Sequence, residues 1–280
     1  MILAGITLFN PDIPVLKKNI ASVQNQVDKL IIIDNGSKDV EGWEQSILQD
    51  FPEIHIIKNE ENAGIARALN QIFAYAKQEG YDWVLTLDQD SCCPADLILT
   101  YEKYMSFPDV GAICPIICDR HYENKEKIKG EYSFVDKCIT SASLTPVKIW
   151  EEVGGFLDDL FIDFVDHDFS AKLLEHNYKI IRVNFVKLEH EIGRGKTHIF
   201  FWRRVTTLNH PSFRKYYMVR NWRYYIKAHK PVINVWQENA KFVFFFIKTI
   251  LYEKGRKEKL KEMVRGLKDA KEFCEKHIHE

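Results

Sequence analysis

Trp83-Val84-Leu85-Thr86-Leu87-Asp88-Gln89-Asp90-Ser91 is the stretch on which the fold turns. Val84, Leu85 and Leu87 form a short apolar run of the kind buried on both faces of a parallel sheet. The run ends in two carboxylates separated by one residue. Burying two like charges beside it would cost several kcal/mol each without compensation. The strand therefore ends at Asp88, and the acids sit on the loop at its carboxyl edge, where open α/β sheets bind their ligands. A divalent cation is the natural compensator, because it prefers hard oxygen ligands and brings a phosphate with it. An ordinary solvated turn is the plainer reading of the same three residues.

The flanking sequence repeats this rhythm. Ile2–Leu8 reads as a first buried strand, stopped at Asn10-Pro11. Pro14 opens a helix carrying Leu16, Ile20, Val23 and Val27 at helical spacing. Leu30–Ile33 is a strand ending in Asp34-Asn35-Gly36-Ser37, and a short helix follows around Trp43, Ile47 and Leu48. Ile54–Ile57 is a third strand, and a helix runs from Ile65 to about Lys77, closed by Gly80. Beyond the acids, Pro94 starts a helix and Val110–Ile117 forms a strand. Asp119–Tyr132 is a polar interruption. Cys138–Leu144 resumes as a strand, Val147–Val153 is a short helix, Asp166 is a candidate N-cap for the next helix, and Lys179–Val186 is a strand. Such alternation implies right-handed βαβ units, hence an α/β fold with a mainly parallel sheet covered by helices on both faces.

Net charge is −1, but it is unevenly placed. From Lys196 onward there are 20 Lys+Arg and 8 Asp+Glu, a net of +12, which leaves 19 against 32, or −13, for the preceding residues. Six cysteines in a chain of 280 residues read as reduced thiols, since a chain this long has a core and needs no staples. Met1–Phe9 lacks the basic start and the small-residue cleavage site of a leader, and no run approaches the roughly 20 apolar residues of a spanning helix. Neither G-x-G-x-x-G nor a Walker pattern occurs, so dehydrogenase and P-loop chemistry are not signalled.

Several residues gain meaning from position. Thr7, Asp34 and Asp88 belong to strand ends that line one crevice, where the two acids can accept from the ring N–H of a base and from ribose hydroxyls. Asn62-Ala63-Gly64-Ile65-Ala66-Arg67 begins a helix whose free N–H groups suit an anion; Gly64 permits close approach, and Arg67 can reach a phosphate or a nearby Asp. A capped helix with an exposed Arg explains the same residues. Asp163, Asp166 and Asp168 stand among Phe161, Phe164 and Phe169, and apolar neighbours make a carboxylate a better proton acceptor. General base and helix cap are both open for Asp166; Asp168 reads as structural. His190 follows a strand and is a candidate third metal ligand beside Asp88 and Asp90.

The basic end is aromatic. Phe213–Tyr225 alternates aromatic and cationic residues on a helix. Val235–Leu251 is a second helix with the apolar run Phe242–Ile247, and a lysine-rich helix follows Gly255. A membrane-surface helix, packing on the sheet and a dimer interface all fit, with nucleic acid ranked below them.

Taken in order, Thr7-Leu8-Phe9-Asn10-Pro11, Ile33–Ser37, Asn62–Ala66, Leu87–Ser91, Phe161–Asp166 and Tyr216–Asn221 resemble the motifs of family 2 glycosyltransferases of the GT-A fold, within it the bacterial rhamnosyltransferase-like group. The resemblance covers Met1 to about Tyr225. It implies a GT-A catalytic domain over 1–200 with a helical, membrane-facing region over 201–280. It also implies an inverting transferase using a nucleotide sugar, dTDP-β-L-rhamnose, with Thr7, Asn10, Asp34, Asn35, Gly64, Arg67, Asp88 and Gln89 on the donor side. Asp34 would lie against the base and Asp88 near the ribose. Asp90, with His190, would hold Mn²⁺ or Mg²⁺, and Asp166 would take the acceptor's proton. Many relatives carry Glu-Asp where this chain has Val165-Asp166, which leaves Asp163 or Asp168 as alternative bases. The implied acceptor is a lipid-linked glycan at the inner face of the plasma membrane, reached by a cytoplasmic, peripherally bound enzyme, and no nucleic acid is involved. A sugar nucleotidyltransferase would share fold and metal, but it needs a Gly- and Arg/Lys-rich first loop that Thr7–Pro14 does not supply. A glycan- or nucleotide-binding module without catalysis is the non-enzyme alternative.

Overall fold

The computed structural model describes residues 1–38, 40–119, 130–190, 196–200 and 203–278. Four parallel strands form one half of its main sheet: β1 (Ile2–Leu8), β2 (Lys29–Asp34), β3 (His55–Lys58) and β4 (Trp83–Asp88). The other half is mixed. β5 (Val110–Asp119) pairs parallel with β8 (Lys179–His190), while β6 (Tyr132–Val135) and β7 (Ser143–Pro146) run antiparallel to their neighbours. Among the described residues the order is β3-β2-β1-β4-β7-β5-β8-β6. The expected mainly parallel α/β sheet is therefore present.

Period-two alternation divides the core. Ala4, Ile6, Ile32, Leu85 and Leu87 face one layer, with Leu16 and Ile20 of α1 (Ile13–Val23), Trp43 and Ile47 of α2 (Val40–Asp50), and Leu97 and Tyr101 of α4 (Leu97–Met105). Leu3, Ile31, Ile33 and Val84 face the other, packing on Leu69, Ile72 and Phe73 of α3 (Ile65–Gln78), Val147 of α5 (Val147–Glu152) and Phe169 of α6 (Val165–Glu175). β1, β2 and β4 thus bury both faces, as the continuous apolar runs demand.

Several expectations shift. The strand expected over Cys138–Leu144 begins only at Ser143. Residues 138–142 instead leave the sheet: the Thr86 hydroxyl donates to the Thr140 carbonyl, and the Cys138 N–H donates to Ser170 Oγ on α6. The helix expected from Pro94 starts at Leu97. Asp166 is not the N-cap; α6 begins one residue earlier, behind Phe164, whose φ of 66° is left-handed. Most of the polar interruption, 120–129, lies outside the described residues. The sequence pattern did not announce a hairpin, β9 (Lys196–Phe200) with β10 (Arg203–Thr207), which precedes α7 (Ser212–Ala228). α8 (Val235–Tyr252) and α9 (Arg256–His277) follow, as the helical periodicity requires. Val219, Phe242, Phe245 and Met263 bind these three helices through a small core of their own.

Candidate active site

β1 lies between β2 and β4: the chain steps from β1 to β2 and β3 on one side and then returns to β4 on the other, and open α/β sheets bind their ligands at the carboxyl ends of such a switch point. The register places Leu8 beside Asp34 and Thr7 beside Asp88. The loops are then tied across the gap. The Phe9 N–H donates to Gln89 Oε1 at 2.9 Å, joining the ends of β1 and β4. The Asn10 N–H donates to Ser37 Oγ at 2.7 Å, and Asn10 Oδ1 accepts from the Lys38 N–H at 2.9 Å, joining the ends of β1 and β2.

Asp34 is fully buried. Its Oδ1 accepts from the Ser37 N–H at 3.1 Å, whereas its Oδ2 has no hydrogen-bond partner. A buried carboxylate oxygen with no donor is costly, and a ligand N–H would relieve it. Asn35 uses its amide differently. Its Oδ1 accepts from the Ala63 N–H at 3.0 Å and its Nδ2 donates to Asn62 Oδ1 at 3.0 Å, so it fixes the loop that precedes α3. Gly64 stands at the head of α3 with φ of 87°, and a Cβ there would lie 2.6 Å from the Phe161 carbonyl oxygen. Only glycine lets this loop approach 161 so closely, and the Ile65 N–H donates to that carbonyl at 2.7 Å. Arg67 is exposed in the first turn of α3.

Asp88 is half-buried, and its carbonyl accepts from Asn19 Nδ2 at 2.7 Å and from the Ser91 N–H at 3.2 Å. The turn so formed presents Asp90 to solvent. Ser91 is buried against the Ser141 hydroxyl, which ties the acidic turn to the segment 138–142. His190 ends β8 opposite Asp119, but its side chain lies outside the described residues. Among the described residues no three His, Cys, Asp or Glu side chains group as a metal cage. The hard carboxylate oxygens of Asp88 and Asp90 suit a cation that takes its remaining ligands from a phosphate.

The segment before α6 is strained. Phe161, Asp163 and Phe164 all have φ between 64° and 66°. For non-glycine residues each costs on the order of 1–2 kcal/mol. α7 holds this conformation in place. Asn221 Nδ2 donates to the carbonyls of Leu160, Ile162 and Asp163, each at 2.9 Å. Arg220 Nη2 donates to the Asp159 carbonyl at 2.6 Å. Arg214 grips the Asp163 carboxylate with both Nε and Nη2, at 2.9–3.1 Å. The sequence pattern assigns these residues no role of their own: Arg220 and Asn221 belong to the Tyr216–Asn221 motif, and Arg214 to the aromatic and cationic run Phe213–Tyr225.

The three acids near α6 separate cleanly. Asp163 is bound by Arg214. Asp168 is fully buried, accepting from His229 Nε2 at 2.9 Å and pairing with Lys172 at 3.1 Å. Asp166 instead lies in the wall of a cavity of about 280 Å³, with Ile116, Lys137, Cys138, His167 and Arg182 around it. Its Oδ1 accepts from the His167 N–H at 2.9 Å and meets His167 Nδ1 at 2.9 Å. Burial pushes the Asp166 carboxyl up, but the His167 charge and its two hydrogen bonds outweigh that and hold it below the usual carboxylate range. It is therefore ionised at neutral pH and able to accept a proton. Residues 138–142 touch both the Asp90 turn and α6, and residues 62–65 touch both Asn35 and Phe161. The acidic loops thus form one continuous rim at the carboxyl edge of the sheet.

Several solved structures share this architecture. The chain matches a mannosyltransferase of Pyrobaculum calidifontis in complex with GDP-Man and Mn²⁺, at 13% identity and TM-score 0.61, over 97% of this chain and 75% of that one. It also matches GalNAc-T7 with UDP, GalNAc and Mn²⁺, at 12% identity and TM-score 0.64, over 99% of this chain and 56% of that one. S. aureus TarS residues 1–349 match at 12% identity and TM-score 0.55, over 98% and 82%. These likenesses show the fold, which is of the GT-A type.

Within that class the chain belongs to glycosyl transferase family 2, whose model matches residues 4–172. A dTDP-rhamnosyl transferase of Shigella flexneri, RfbF, is 27% identical over 279 residues, covering 94% of this chain and 91% of that protein.

Proposed function

We propose that the protein is an inverting rhamnosyltransferase that moves L-rhamnose from dTDP-β-L-rhamnose to a hydroxyl of a lipid-linked glycan. The observation that carries the reaction is the difference among the acids at and before α6: Asp163 is gripped by Arg214 and Asp168 is fully buried against His229 and Lys172, while Asp166, beside His167, lines a cavity. The choice of donor rests on the similarity to the Shigella flexneri enzyme.

On this reading, Asp34 Oδ2 accepts the ring N–H of the thymine base, which satisfies its open valence. Thr7 and Asp88 face the ribose, and Asn10, Asn35 and Gln89 hold the loops around the nucleotide. Gly64 and Arg67 place the head of α3 and one cation near the diphosphate. Asp90, with Asp88 and with the His190 that the sequence suggests, would hold Mn²⁺ or Mg²⁺, which would supply charge neutralisation to the departing diphosphate. The acceptor hydroxyl enters the cavity at Asp166. Its oxygen attacks the anomeric carbon as the bond to the diphosphate oxygen breaks, and the hydroxyl proton passes to Asp166, so configuration inverts. The acceptor's lipid places the enzyme in the cytoplasm, peripherally bound at the inner face of the plasma membrane; among the described residues no helix is long and apolar enough to cross it.

A panel of nucleotide sugars, each incubated with enzyme and Mn²⁺ without acceptor, tests the donor. Slow hydrolysis is expected for dTDP-rhamnose above all others. Preference for a GDP- or UDP-sugar would overturn the donor assignment, and binding of dTDP without hydrolysis or transfer would favour a non-catalytic module.

A further inference from the structure

α7, the helix with the most conspicuous aromatic and cationic pattern, is turned inward. Lys215 is buried against Glu253 at 2.5 Å, Arg214 holds Asp163, and Val219, Tyr224, Tyr225 and Ile226 are buried. α8 behaves in the opposite way. Phe242, Phe245 and Thr249 face the core, whereas Trp236, Val243, Ile247, Ile250 and Leu251 are between 37% and 88% exposed. At 3.6 residues per turn these five fall within an arc of about 100°. They form one stripe roughly 22 Å long, at about 1.5 Å per residue.

Along α8 and up to Lys257 the exposed charge has one sign, and the exposed Glu258 follows in the first turn of α9. Over 235–257 the acids are Glu238 and Glu253, both buried and ion-paired, Glu238 to Lys137 and Lys241 and Glu253 to Lys215 and Lys259. The cations are Lys241, Lys248, Lys254, Arg256 and Lys257. Lys254, Arg256 and Lys257 are exposed just beyond the end of the stripe, and Arg256 Nη1 donates to the Ile250 carbonyl at 3.3 Å. Lys241 and Lys248 flank the stripe. They also line a mostly apolar cavity of about 570 Å³ beside Phe244, Phe245 and Trp222.

We infer that the outer face of α8 docks flat on an anionic lipid surface, its apolar stripe entering the headgroup boundary and its bordering cations meeting lipid phosphates. An exposed apolar face with cations at its edges and no exposed acid on α8 itself matches such a surface in both polarity and charge. A second copy of this chain would meet the same cations, like against like. α8 carries Glu238, Lys241 and Lys248 along its length and so lies on the bilayer rather than through it. This deepens the membrane reading given above, and its readout is binding, which needs no sugar transfer.

Sedimentation of the full chain with phosphatidylcholine vesicles, and with vesicles of equal parts phosphatidylcholine and phosphatidylglycerol, tests the inference. Binding at least about tenfold tighter to the anionic vesicles is expected. Trp236→Ser and Ile247→Glu should each weaken it about tenfold or more, with melting temperature and donor hydrolysis unchanged, since neither residue lines the Asp166 cavity. The pair Lys254→Glu and Arg256→Glu should remove the preference for anionic lipid. The inference fails if the parent chain binds neither vesicle or both equally, or if these variants bind as the parent does. It also fails if the parent is a dimer that Ile247→Glu splits into monomers. Loss of vesicle binding with intact donor hydrolysis separates this surface from the transferase reading.

Discussion

The sheet edge and the C-terminal helices treat charge in contrasting ways. At the edge, backbone geometry brings Asp34 and Asp88 to the last positions of β2 and β4, Asp90 to the turn beyond and Asp166 to the first turn of α6, and one buried Asp34 oxygen is left without a partner. In the C-terminal helices the cations turn back toward the acidic body. Arg214 holds Asp163, His229 holds Asp168, and Lys276 holds Asp159. The opposed charges of the two halves are thus partly an internal neutralisation. The contrast teaches which acids are scaffold and which are available for chemistry, something their spacing alone does not reveal.

The sharpest way to break that contrast is Asp166→Asn. Transfer should fall on the order of 10³-fold, as for loss of a general base, while calorimetry finds donor affinity intact. An unchanged turnover would place the base elsewhere. Asp90→Ala should come next, abolishing metal-dependent donor binding. Equal affinity of the parent with and without chelator would argue against a cation at this turn.

On the scaffold side, Arg214→Ala leaves the buried Asp163 carboxylate unpaired and lets the strained 161–164 segment relax. Denaturant titration should show a loss of about 3 kcal/mol, and turnover should fall with it. Asp163→Asn in the same chain should restore part of the stability, because the unpaired charge is then gone.

His167→Ala sharpens the contrast more gently. Removing the ring leaves burial as the main influence on Asp166, so its carboxyl rises. The acid limb of the rate profile, which lies below the usual carboxylate value of about 3.9 in the parent, should move to higher pH.

The smallest effect concerns His229. Burial pulls its pKa down, but the hydrogen bonds and charges of Asp168 and Glu175 outweigh this and raise it above its ordinary value. A group raised on folding stabilises fully below the unfolded value of about 6.5, and its contribution fades as pH climbs through the folded one. His229→Gln should therefore cost more stability at about pH 5.5 than at about pH 9, as read from urea midpoints at the two pH values.

The sheet was legible because its strands are runs such as Leu30–Ile33 and Val84–Leu87, whose burial on two faces leaves little choice of structure. The order of the acidic loops was legible too, since polar residues cannot continue a buried strand. The hairpin Lys196–Thr207 was not, because its alternation is short and interrupted by cations. The Cys138–Leu144 strand was placed too early, because the Thr140 carbonyl, the Ser141 hydroxyl and the Cys138 N–H are bonded to Thr86, Ser91 and α6.

Sequence by itself determined the α/β alternation, the acids at strand ends and the charge split between the two halves, since each follows from local pattern and composition. Tertiary structure alone decided the partners. It gave Asp163 to Arg214 and Asp168 to His229, left Asp166 facing a cavity, turned α7 inward and α8 outward. Residues about fifty positions apart meet only after the chain has folded, and a carboxylate's chemistry depends on what meets it.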